Sequence, residues 1–107
     1  MRIDQVLYVA EQAVRQWDRN LSARGAAEDA WFMLFSLSAR ASLLPVEIQD
    51  EFVELWDAYG GFSPTGVTKR MIREFLNGLR DADFLLLERM TRAFLTSVRW
   101  AASGLPV

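Results

Sequence analysis

Five carboxylates, Glu47, Asp50, Glu51, Glu54 and Asp57, stand close together, and no basic residue between Val46 and Phe62 neutralises them. Turned at about 100° per residue, they fall on one outer arc of a helix, and an arc of one sign repels itself. The plain reading is a solvated face, with Glu47 also favoured by the positive end of the helix dipole. A sharper reading is a surface for a basic partner, including one that imitates a phosphate backbone. Metal binding is the weakest reading, because Glu-x-x-Asp-Glu lacks the histidine of the usual di-iron arrangement.

Histidine and cysteine are both absent. Their absence removes disulfides, thiolate nucleophiles, imidazole bases and the thiolate or imidazole metal sites. Serine and threonine hydroxyls remain, but no Gly-x-Ser-x-Gly elbow holds one. The single lysine, Lys69, has no Ser-x-x-Lys motif around it. Gly60-Gly61 and Gly66 match neither Walker nor dinucleotide spacing and read as helix stops. The chain is therefore expected not to be an enzyme and to need no cofactor and no metal.

The opposite charge lies in the second half of the chain. Residues 1–60 hold five basic and ten acidic side chains, net −5, and residues 61–107 hold seven and four, net +3. Lys69, Arg73 and Arg80, with Leu76 among them, fall on the outer arc of a fourth helix. A fifth helix presents Leu85, Arg89, Arg92, Thr96 and Trp100 as one outward stripe, with Arg99 near it. Trp100, in the last turn, either folds back over a neighbouring helix or forms part of an interface, since exposed Trp beside Arg is the composition of binding hot spots. A helix-turn-helix over Val67 to Phe94 fits poorly. Glu74 stands where close packing demands a small residue, and Phe84-Leu85-Leu86-Leu87 would lead into the groove. A total charge of −2 gives no general attraction to a polyanion.

The elements that must position these faces follow from punctuation and periodicity. At 107 residues, 51% hydrophobic and 24% charged, the chain suits one globular domain spanning 1–107. No alternating run is long enough for a strand. Helix 1 is predicted to start at an Asp4 cap and to bury Ile3, Leu7, Ala10, Val14, Trp17 and Leu21. Helix 2 is predicted from Ala26 to Ser42 or Leu43, with Ala30, Leu34, Leu37 and Ala41 inward. Its opposite face, Phe32, Ser36, Ala39 and Leu43, has no charge; the favoured reading covers it with other helices, making helix 2 the central post. Otherwise it is a candidate dimer seam, because small residues at 36 and 39 let a second helix approach.

Pro45 opens helix 3, which buries Ile48, Phe52, Leu55, Trp56 and Tyr59 and stops at Gly60-Gly61. Ser63-Pro64 opens helix 4 with Val67, Met71, Phe75 and Leu79 inward. Asp81 or Asp83 caps helix 5, which buries Leu87, Met90, Phe94, Val98 and Ala101 and ends near Gly104, with Pro106 beyond. The fold expected is an all-α compact bundle of about five helices.

The longest charge-free apolar run, Ala30 to Ala39, is about half the roughly 20 residues that a membrane span requires. With no signal-peptide core at the start, a cytoplasmic protein is expected. Eleven arginines to one lysine suggest a GC-rich bacterial or phage genome. Together these readings favour a non-catalytic accessory protein (adaptor, chaperone or inhibitor) that binds a protein through the Leu85 to Trp100 stripe, the acidic face of helix 3, or both. Homodimerisation through helix 2 is a further candidate. The runner-up is a DNA-binding regulator using the basic arcs of helices 4 and 5, or an inhibitor mimicking nucleic acid through helix 3.

Overall fold

Hydroxyl caps and glycines decide where the helices begin and end. In the computed structural model, which describes residues 1–104, the helices are α1 (Ile3–Arg19), α2 (Ala23–Ser38), α3 (Val46–Ala58), α4 (Lys69–Asn77) and α5 (Asp81–Ser103), with a 3₁₀ turn at Ala41–Leu43. The protein is an all-α bundle of five helices, with no strand among the described residues. Ser22 Oγ accepts the Gly25 N–H at 3.0 Å, so α2 starts at Ala23, earlier than Ala26. Residues 22–25, between the two predicted helices, are thus the cap and first turn of α2. At its other end α2 stops at Ser38, short of Ser42. There the chain tightens into the 3₁₀ turn, and Pro45 holds Leu44 extended.

The cap of α4 is Thr68, whose Oγ1 accepts the Met71 N–H at 3.2 Å. Ser63-Pro64 belongs instead to the preceding loop, where the Ser63 and Thr65 hydroxyls bond each other at 3.1 Å. Arg2, not Asp4, occupies the cap position of α1, and its N–H reaches back to Gln5 Oε1 at 3.2 Å. Similarly, Asp83 closes the start of α5 from inside the first turn, accepting the Arg80 N–H at 2.9 Å. Gly60, with φ +113°, ends α3 as expected. A Cβ there would come within 2.5 Å of the Phe62 ring, so the sharp exit requires glycine. Gly104 ends α5 at φ +68°, and Pro106 lies outside the described residues.

α5 is the spine of the bundle. It buries Phe84, Leu87, Thr91, Phe94, Leu95 and Val98 against α1, α2 and α3, while α4 rests on α2. The α3 stripe of Ile48, Phe52, Leu55, Trp56 and Tyr59 is buried as its spacing predicts. On α1, Ala10, Val14 and Trp17 are joined by Val6 and Ala13, but Leu21 lies past the helix end in full solvent. The α4 stripe is rotated from expectation. Ile72 and Leu76 are buried, Val67, Phe75 and Leu79 are half-buried, and Met71 is exposed. Leu76 therefore belongs to the core and not to the basic arc. With its start at Lys69 and not Pro64, α4 has nine residues and packs chiefly on α2, and the pair at i and i+4, Ile72 and Leu76, is what it buries.

Two networks tie the helices together. In the first, Trp17 Nε1 donates to Tyr59 Oη at 3.2 Å, and Tyr59 Oη lies 2.7 Å from Thr91 Oγ1. Thr91 donates its own proton to the Leu87 carbonyl at 2.7 Å, so the tyrosine must be the donor to Thr91. This directed chain links α1, α3 and α5. The second is an aromatic ladder: Phe94 meets Phe52 at 5.7 Å, Phe52 meets Trp56 at 6.3 Å, and Trp56 stacks on Trp31 at 5.4 Å. It runs from α5 through α3 to α2.

Candidate functional site

Because α5 faces the core along one side of its whole length, its other side stands in solvent. Leu85, Leu86, Arg89, Ala93, Thr96 and Trp100 are all exposed. Leu85 is 49% exposed, Leu86 52% and Trp100 54%, so Trp100 does not fold back over a neighbouring helix. From Leu86 onward these positions step by 3, 4, 3 and 4, the 3.5-residue seam that one helix presents to another. Leu86 and Ala93 were absent from the stripe deduced from a 3.6-residue period, although the spacing that reveals them is written in the sequence.

Arg92 departs from the expected role. It is half-buried and reaches Asp18 on α1 at 2.6 Å and Glu88 on its own helix at 3.0 Å. Hydrogen bonding to Asp18, more than to Glu88, holds its guanidinium above the usual range. Arg92 thus fastens α5 to α1. Arg89 and Arg99 form no ion pair among the described residues and remain the available cations of the stripe.

On α3, Glu47, Asp50, Glu54 and Asp57 are exposed and Glu51 is half-buried. None of the five forms an ion pair among the described residues, so no basic side chain offsets the acidic face. Val46 and Val53 are exposed on the same helix. Among the described residues no three carboxylates converge in a way that could hold a metal ion.

Of the basic arc of Lys69, Arg73 and Arg80, the two arginines are paired with carboxylates of neighbouring elements, and Arg70 is paired within α4. Arg70 pairs with Glu74 at 2.9 Å, Arg73 with Glu28 at 3.7 Å, and Arg80 with Asp83 at 3.6 Å. Moreover, α4 leans on α2 rather than on α5, whereas a helix-turn-helix needs its two helices packed together.

The outer face of α2 corrects the favoured expectation. Phe32 is 41% exposed, Leu43 61%, and Ser36 and Ala39 are also exposed, so no other helix covers this face. The opposite side of α2 packs on α1, α4 and α5, while the 23 residues of α5 pack on α1, α2 and α3. Beside the α2 face, Asp4 and Tyr8 of α1 and Phe35, Ser36, Ala39 and Arg40 line an open groove of about 670 Å³. The terminal ammonium donates to the Leu43 carbonyl at 2.9 Å and so ties the N-terminus to the 3₁₀ turn. A smaller hollow of about 220 Å³ lies where Trp31, Phe32 and Phe35 meet the start of α4. Trp31 is buried, and its Nε1 has no hydrogen-bond partner among the described residues.

Compared with protein-family models, with curated proteins and with solved structures, the chain matches none. No helix among the described residues is long and apolar enough to cross a membrane.

Proposed function

We propose that this is a non-catalytic accessory protein, acting as adaptor, chaperone or inhibitor in a bacterial or phage cytoplasm, that binds a protein partner through the outer face of α5. The observation that carries the reading is the uncovered seam of Leu85, Leu86, Arg89, Ala93, Thr96 and Trp100 on the longest helix of the bundle, which packs on α1, α2 and α3. A rigid scaffold lowers the ordering cost of binding, and an exposed Trp with adjacent Arg supplies both apolar area and a charged hydrogen-bond donor. With Arg92 committed to Asp18 and Glu88, the unpaired charges of the stripe are Arg89 and Arg99. The matching surface is an apolar helix or ridge edged with carboxylates.

Capture from an extract of the native host, run in parallel on the parent and its variants, tests this. Trp100→Ala with Arg89→Glu is expected to weaken retention of the specific partner by about thirtyfold or more, the size of a hot-spot loss. If that variant retains the partner while Glu51→Lys with Glu54→Lys loses it, the site moves to the acidic face of α3. Retention by both removes both faces. A duplex DNA shift at low salt that Arg89→Glu abolishes would replace this reading with DNA binding.

A further inference from the structure

The outer face of α2 carries an order of charges that suits one occupant. Asp29, Met33 and Ser36 on α2 and Arg40, two residues past its end, are all exposed and stand at steps of 4, 3 and 4, so the seam spacing of a helix pair carries on into the first residues beyond α2. No charged residue lies between Asp29 and Arg40. Laid antiparallel on a copy of itself, this segment is its own complement. When Met33 stands level with the partner's Ser36, Asp29 stands level with the partner's Arg40, because both pairs share one midpoint. A two-fold axis then repeats each contact.

We propose that the protein forms a symmetric dimer through antiparallel pairing of α2, closed at each end by an ion pair between Asp29 and the partner's Arg40. Arg40 is free for this role, since it makes no ion pair within the chain among the described residues. Asp29 accepts only a hydrogen bond from Asn20 Nδ2 at 3.2 Å. Phe32 and Ala39 each precede a seam position by one residue and flank the seam on one side. The large Phe32 ring therefore comes over the partner's Ala39, at the mouth of the groove that Ser36 and Ala39 help to line.

Charge also selects a second copy for this face over the others. Pairing α3 with itself would set unneutralised carboxylates against carboxylates, and the α5 seam of Leu86, Arg89, Ala93, Thr96 and Trp100 has no carboxylate to meet the arginine of a copy. A parallel α2 pair would oppose Asp29 to the partner's Asp29. The α2 face is separate from the α5 stripe, so either proposal survives failure of the other.

Sedimentation equilibrium of the full chain, from about 1 μM to about 1 mM, tests the dimer. A single helix pair makes a small interface, so dissociation is expected in the micromolar range. Asp29→Arg and Arg40→Asp should each weaken association by about tenfold or more, and combining them should restore it to within about threefold of the parent. Circular dichroism should show the helical fold in all three, because both positions are exposed. As a second measurement, the cysteine-free chain can be given Asp29→Cys with Arg40→Cys. These two stand near opposite ends of α2, about three helical turns apart and too far to join each other, so oxidation should yield a covalent dimer. A parent that sediments as a monomer throughout overturns the proposal, as does a double charge exchange no stronger than the single variants or a cysteine pair that gives no covalent dimer.

Discussion

Trp17 and Trp31 carry the same donor into one core, yet only one of the two is met. The Trp17 indole feeds a chain of hydrogen bonds through Tyr59 and Thr91 that ends on the Leu87 carbonyl. The Trp31 indole has rings on several sides, Phe32 at 5.2 Å, Phe35 at 5.3 Å and Trp56 at 5.4 Å, and no acceptor among the described residues. Directed bonds permit one arrangement of α1, α3 and α5, whereas stacked rings tolerate small slides of α2 over α3. The difference maps onto the two outer faces. The α5 stripe is displayed from the rigidly bonded side, and the α2 face lies directly over the stacked side.

Phe94 belongs to the ladder and stands on α5 one turn beyond Thr91, so its loss should damage both regions. Phe94→Ala is expected to cost about 3 to 5 kcal/mol, because a fully buried ring leaves a cavity that the helices cannot close. Urea unfolding measures it, and a loss below about 1 kcal/mol would mean that the ring is not held in the core. The next largest effect is confined to the hydrogen-bonded side. Burial pushes the Tyr59 hydroxyl up to about 12, with the bonds to Thr91 and Trp17 opposing the rise only in part. A tyrosine ionises near pH 10 when unfolded, so the folded state holds this proton more tightly. Its contribution is full below about pH 10 and disappears as pH rises towards 12, a loss of about 3 kcal/mol. Tyr59→Phe should flatten that alkaline limb, and a variant as pH-sensitive as the parent would assign the transition to another group.

The paired indoles can be compared directly. Trp17→Phe removes a made hydrogen bond and leaves the Tyr59 oxygen short of a donor. Trp31→Phe removes an N–H that had no partner, so the cost of the smaller ring is offset by about 1 to 3 kcal/mol. Trp17→Phe should therefore be the less stable variant by roughly that amount. Equal losses would show that the Trp31 N–H finds an acceptor in solution, and the contrast between the regions would shrink to geometry.

How much of this was legible depended on whether the signal was local. The core stripe of α3 was readable because Pro45 and Gly60-Gly61 bracket it and leave no choice of phase. α4 departs from expectation because Thr68, and not Ser63, caps it, and because its inner face follows from packing on α2, which buries Leu76. The exposure of the α5 stripe was legible for the same local reason as α3. The exposure of α2 was not, because a periodic pattern shows which face is apolar but not how many neighbours will cover it. The Trp17–Tyr59–Thr91 chain left no trace, since hydroxyl and indole positions on three separate helices have no shared periodicity. Arg92 was placed with the binding residues because its partner on α1 is 74 positions away.

That partner supplies the smallest test. Asp18 and Arg92 join α1 to α5 at 2.6 Å, on the same pair of helices that the hydrogen-bonded chain already links. Their side chains are 56% and 42% exposed, so water and salt screen the pair, and two flexible side chains lose freedom in making it. Asp18→Asn is therefore expected to lower stability by only about 0.2 to 1 kcal/mol, and by less at high salt. Arg92 would keep Glu88 at 3.0 Å and stay out of the binding stripe. A loss several times larger that persists in high salt would show that the ion pair, rather than the buried chain of Trp17, Tyr59 and Thr91, holds α5 in place.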